Sequence, residues 1–111
     1  MPEAKNKTSR IIAEKWNHFA PGSLNKEIIE AFIYIIDNCV GCEKTARHIS
    51  DELIKTTKEM IHRTSLEIIE DLEGDDYFFP DKKIVEKLKK IKSMAILLSP
   101  REISDTYVFG G

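Results

Sequence analysis

The chain has 111 residues, 41% of them hydrophobic and 32% charged, with 17 basic side chains, 19 acidic ones and two cysteines. A chain of this length forms one domain, because splitting usually begins above roughly 250 residues. The apolar content excludes a disordered chain, the cysteine count excludes a disulfide scaffold, and the longest apolar run, Ala31 to Ile36, is far short of the about 18 residues of a membrane span.

The first ten residues, MPEAKNKTSR, are polar and lead into no apolar stretch, so no secretory signal and a cytoplasmic location are expected. Residues 9–19 then place Ile11, Ile12, Trp16 and Phe19 on one helical stripe. Pro21-Gly22 breaks the chain, and Ser23 or Asn25 can cap a new start. From Glu27 to Cys39 the sequence reads EIIEAFIYIIDNC. Ile28, Ile29, Phe32, Ile33, Ile35 and Ile36 cover more than half of a helix circumference, which predicts the buried centre of the domain.

Two further stripes follow, Ala46-Ile49-Leu53 and Met60-Ile61-Ile68-Ile69-Leu72, with no glycine or proline between Gly41 and Gly74. The span is long enough for one helix of about 30 residues. The apolar phase slips between the stripes, however, and Thr56-Thr57-Lys58-Glu59 fits a capping box, so a break is expected near residues 54–56. Gly74-Asp75-Asp76 ends the next helix, and Tyr77-Phe78-Phe79-Pro80 forms an aromatic connection. Asp81 caps the last long helix, whose inner face carries Ile84, Val85, Leu88, Ile91, Ala95 and Leu98. Ser99-Pro100 suits a further short turn before an extended tail.

A buried helix at 27–39 is thus followed by T45-A46-R47-H48-I49-S50-D51-E52-L53, a turn, and T57-K58-E59-M60-I61-H62-R63-T64 running on to Gly74. Over residues 26–80 this order resembles the winged-helix and helix-turn-helix families of DNA-binding domains. Those families carry a T-A-x-x-I-A-x-x-L helix in support of a recognition helix opened by Ser or Thr. The resemblance implies a recognition helix presenting Thr56, Thr57, Lys58, His62 and Arg63, and a short β wing near Tyr77 to Phe79. Such a helix offers donors to phosphates and base edges near its N-terminus, where its dipole also favours anions. Arg63 could then pair with guanine while Thr57 and Lys58 hold phosphate. The sequence departs from the family where Ile54-Lys55 replaces the usual glycine and aliphatic pair, and in the acids Glu59, Glu67, Glu70 and Asp71.

The net charge of −2 hides a segregation. Residues 66–76 carry Glu67, Glu70, Asp71, Glu73, Asp75 and Asp76 with no base, whereas residues 82–92 carry six lysines against Glu86. A basic amphipathic helix can track phosphates or lie on an acidic membrane, and more commonly it is a solvated face.

Cys39-Val40-Gly41-Cys42 is a C-x-x-C, the spacing for a zinc grip or a redox pair. His48 is the nearest further ligand, and His62 lies fourteen residues beyond it, a rise of about 21 Å on one helix. Cys39, Cys42 and His48 therefore stand as metal candidates, against the plainer reading of two small packing residues at a helix end. Glu59-x-x-His62 lacks the second such motif of a di-iron bundle. His62-Arg63-Thr64 lacks the acid that usually follows a phosphoacceptor histidine. No phosphate-cradling glycine loop and no Ser-His-Asp spacing occurs, so no catalytic residue and no cofactor is assigned.

The expected fold is all-α, a compact bundle of four to five helices, either plain or a winged helix-turn-helix with a C-terminal dimerisation helix. Residues 1–22 form an N-terminal helix and loop, 23–80 the helix-turn-helix-like core, 81–98 the basic helix and 99–111 the tail. The leading expected function is a small non-enzymatic DNA-binding transcriptional regulator, acting as a homodimer and without a membrane role. The alternatives are a helical adaptor that binds a protein partner, and a thiol-dependent metal or redox protein. An uninterrupted helix from 43 to 73 would exclude the helix-turn-helix.

Overall fold

Leu24–Asn38 is apolar over more than half of its circumference, and the fold is arranged around it. In the computed structural model, which describes residues 7–38, 43–74 and 81–98, the chain forms five α-helices. These are α1 (Lys7–Lys15), α2 (Leu24–Asn38), α3 (Glu43–Lys55), α4 (Ile61–Gly74) and α5 (Lys82–Leu97). A single 3₁₀ turn, Lys58–Met60, precedes α4, and no strand occurs among the described residues. The expected wing at 77–79, the tail and both cysteines lie outside the described residues. No described helix is long and apolar enough to cross a membrane.

The central helix α2 packs against α1, α3, α4 and α5, which is why Ile28, Ile29, Ala31, Phe32, Ile33, Ile35 and Ile36 are all buried. It starts earlier than the apolar pattern suggests. The Ser23 hydroxyl accepts from the Lys26 amide at 3.2 Å, satisfying one of the donors a helix start leaves open. Conversely, α1 stops at Lys15, short of Trp16 and Phe19. The amides of Asn17 and Phe19 bond three residues back, to Glu14 and Trp16, so the chain tightens into turns. Both rings remain buried and stack on each other, with centroids 5.4 Å apart and planes 8° from parallel. The Ser9 hydroxyl, donating to Asp37 at 2.9 Å, ties the start of α1 to the end of α2.

The basic helix α5 begins as expected, with the Asp81 carboxylate accepting from the Lys83 amide at 2.8 Å. Its inner face of Ile84, Leu88, Ile91, Met94 and Ala95 is buried against α2 and α4. Met94, whose place in the sequence suggests a residue to spare for a partner, belongs to this core; Ile96 and Leu97 are the exposed ones. Met60 moves the other way. The 3₁₀ turn rotates it out of the apolar stripe, and it is exposed.

Gly22 is the described residue whose backbone needs glycine, at φ +83°, with nothing within 4 Å of the position a Cβ would take. Replacement there has no steric contact to relieve, so the expected loss is conformational alone. Gly22→Ala should lower stability by about 1–2 kcal/mol, measured by urea denaturation followed by circular dichroism. A midpoint equal to that of the parent chain would contradict this account.

Candidate functional site

The residues singled out by the helix-turn-helix resemblance surround the joint between α3 and α4, and the joint is built chiefly from outside. Local sequence gives α3 little reason to stop: Ile54, Lys55 and Thr56 are all compatible with helix. At the end of a helix the last carbonyls lose their partners and need other donors. The Thr56 amide makes the final helical bond, to the Glu52 carbonyl at 3.0 Å. The indole Nε1–H of Trp16 donates to the Leu53 carbonyl at 3.2 Å, within the core. The Lys15 ammonium donates to the Ile54 carbonyl and, at 3.0 Å, to the Thr56 carbonyl. It also lies 4.8 Å from the centroid of the Trp16 ring. Two neighbouring side chains, the last of α1 and the first beyond it, thus cap α3, and the cation sits at the negative end of the helix dipole.

The chain then turns through an extended Thr57, with φ −103° and ψ 165°, and the Met60 amide bonds to the Thr57 carbonyl at 3.0 Å. The expected capping box does not form. Thr57, at the N-cap, makes no side-chain cap bond, and the Thr56 hydroxyl lies 2.6 Å from that of Thr64. That contact bridges the joint to the first turn of α4. Below it, Ile49 and Leu53 of α3 and Ile61, Ile68, Ile69 and Leu72 of α4 are buried in the common core. Toward the far end, His48 Nε2 and Asp71 Oδ2 are 3.0 Å apart, a second bridge between the two helices at half-exposed positions.

Of the five residues implied as a recognition surface, Thr57, Lys58 and Arg63 are exposed around the start of α4. Thr56 is half-buried and its hydroxyl is engaged with Thr64, while the His62 ring turns its Nε2 into the protein. The structure therefore brings three of the five to one accessible turn. Sequence reasoning missed Lys15, Trp16 and Thr64, which shape that turn. Trp16 could be read only as a core residue, because a hydrogen bond spanning 37 positions leaves no periodic sign.

Charge along α4 is polarised. Lys58 and Arg63 lie at its start, with Glu59 between them, and Glu67, Glu70, Asp71 and Glu73 are exposed from its middle to its end. Glu73 meets Lys92 of α5 at 3.8 Å, above a groove of about 330 Å³ floored by Ile69, Leu72, Val85 and Leu88. Among the described residues, no group of three or more His, Cys, Asp or Glu could hold a metal ion. His48, a metal candidate by sequence, faces Asp71. Comparison with family models, curated proteins and solved structures gives no match.

Two substitutions test how the joint is held. Trp16→Phe keeps an aromatic side chain in the core but trims the buried indole and removes the donor, leaving the Leu53 carbonyl unsatisfied, and should cost at least about 1–3 kcal/mol. Thr64→Val keeps the shape and deletes the bridge to Thr56, for a loss of about 1 kcal/mol. Denaturation followed by circular dichroism reads both, since Trp16 is the only tryptophan and its fluorescence vanishes in the first variant. Parent-like stability of Trp16→Phe would show that α3 ends without the indole.

Proposed function

We propose that this chain is a small non-enzymatic DNA-binding regulator whose contact surface is the first turn of α4. One observation carries the reading: the helical span is interrupted at 56–60, and the new helix starts with Thr57, Lys58 and Arg63 exposed. Helix-turn-helix proteins place the N-terminal residues of their second helix against base edges. The basic residues here lie at that end, with Glu59 between them, and the other acids of α4 lie beyond it, where a recognition helix leaves the groove. Lys58 holds phosphate as a point charge, and Arg63 offers the planar fork that matches guanine. The functional unit is a homodimer, with Ile11 of α1 and Ile96 and Leu97 at the end of α5 as exposed apolar contact residues. Two-fold symmetry would then present two α4 starts to half-sites roughly 34–36 Å apart.

A second reading, a helical adaptor that binds a basic protein partner, draws on the exposed acids Glu67, Glu70 and Asp71 of α4. The two differ in what α4 touches and with which end.

Fluorescence anisotropy with a labelled duplex separates them. The DNA reading expects binding that weakens steeply between roughly 50 and 200 mM salt. Arg63→Ala should weaken binding to a preferred sequence by roughly 5- to 150-fold, the equivalent of about 1–3 kcal/mol for a lost bidentate contact. Lys58→Ala should weaken all sequences alike and lower the salt slope by about one. No binding to any duplex at low salt would falsify the proposal and leave the adaptor.

A further inference from the structure

α5 carries six lysines between positions 82 and 92 against the single Glu86, and the acids that the fold sets beside them, Glu27 and Glu30 of α2 next to Lys87 and Lys90 and Glu73 of α4 next to Lys92, balance only part of that charge. Lys82, Lys83, Lys89, Lys90 and Lys92 are exposed, and Lys87 is half-buried with its ammonium 4.8 Å from the centroid of the Tyr34 ring of α2. Among the described residues, Lys92 is the lysine of this group with an ion pair, to Glu73. Lys83 and Lys87 are four apart, and Lys87 and Lys90 three apart, so like charges face each other along the helix and repel. Lys82 and Lys83 also occupy the first turn, where the helix dipole disfavours cations. Glu86, three residues from Lys83 and four from Lys82 and Lys90, offsets part of this repulsion, and the remainder opposes helix stability.

We infer that the solvent face of α5 is a second nucleic-acid contact, which tracks the phosphate backbone of a DNA duplex through Lys83, Lys87 and Lys90. These three form one stripe about 10.5 Å long, the axial length of about three phosphates on one strand. The Tyr34 ring restrains the middle cation, so the stripe is partly ordered before binding. Charge complementarity selects the partner. Protein interfaces are depleted of lysine, whereas lysine is a ready phosphate ligand. A membrane is the poorer match, because a helix that lies on lipid needs a free apolar face, and Ile84, Leu88, Ile91 and Ala95 are buried against α2 and α4.

The inference rests on the DNA-binding reading but uses a different face, and the two can fail separately. The test compares the full chain with a triple variant, Lys83→Gln, Lys87→Gln and Lys90→Gln, and with Lys58→Gln/Arg63→Gln. Each is titrated with a labelled duplex over a range of salt and with vesicles of phosphatidylserine and phosphatidylcholine. Glutamine is close to lysine in helix propensity, and circular dichroism checks that the fold is kept. The triple variant should lose tenfold or more in affinity on every sequence, and its salt slope should fall by about two to three. A slope unchanged by the triple substitution overturns the α5 contact and leaves the α4 site standing. Loss in the triple variant with none in the α4 variant supports α5 and removes α4. Lysine-dependent binding to vesicles, with duplex affinity unaltered, assigns the face to lipid and overturns the inference. Failure of the parent chain to bind a duplex at low salt overturns both.

Discussion

Lys15 and Trp16 decide where α3 ends, and much of the molecule follows from that end. The span from 43 to 74 has only Gly74 as a helix breaker, and its threonines are weak ones. A continuous rod would have left Ile49 and Leu53 on one stripe and Ile68 and Ile69 on another, with no single core to share. Capping the carbonyls of Leu53, Ile54 and Thr56 from α1 gives the chain a favourable alternative to one more turn. The alternative is specific because the Trp16 ring is itself buried on Phe19, so its N–H has one place to point. Once α3 stops there, α4 can fold back to set Ile61, Ile68, Ile69 and Leu72 into the same core as α2 and α5.

Reading the sequence recovers the parts of this that are local. Helical stripes locate α2, α4 and α5, Ser23 and Asp81 act as caps, and the phase slip places the joint within about two residues of its position. What escapes are interactions whose partners are far apart in the chain. Thr56 and Glu59 have the spacing of a capping box, yet the Thr56 hydroxyl turns to Thr64, which the fold carries to within 2.6 Å. Met60 and Met94 exchange places between core and surface. A 3₁₀ turn rotates the first out of phase, and the wide inner face that α5 needs to meet both α2 and α4 draws in the second. At the candidate site, exposure of Thr57, Lys58 and Arg63 was legible from helix phase. The inward turn of His62 was not, because it depends on how α4 rolls against its neighbours.

The charges on α4 and α5 run against their own helices. The first turn of α4 has no acid and its last turn no base, and α5 opens on two lysines. Each misplaced charge costs about 0.3–1 kcal/mol at an exposed position. A fully buried Ile or Leu contributes about 1.5–3 kcal/mol, and the core holds many of them, including Ile12, Ile28, Ile35, Ile49, Leu53, Ile61, Ile68, Leu72, Ile84 and Ile91. The apolar interior is thus strong enough to carry a surface that folding alone would not favour. Bridges such as Lys92–Glu73, at half-exposed positions, return only a fraction of that cost.

This separation of roles bears on how the α3–α4 joint can act. Lys15 is a structural cap, but it is also a cation placed one residue before Thr57, beside the turn that opens α4. Its charge adds to those of Lys58 and Arg63 and to the positive end of the α4 dipole, all at the same end of the helix. Glu59 in the turn before α4 offsets part of this charge, the other acids of α4 begin at Glu67, a full turn beyond Arg63, and Lys92 pairs with one of them. A near-neutral chain therefore carries a local excess of positive charge where α4 begins. That charge is assembled by α1 and the start of α4, and it depends on the same ammonium that ends α3. The group that shapes the turn is also one of the groups that charge it, so the geometry of the turn and its local charge stand or fall together.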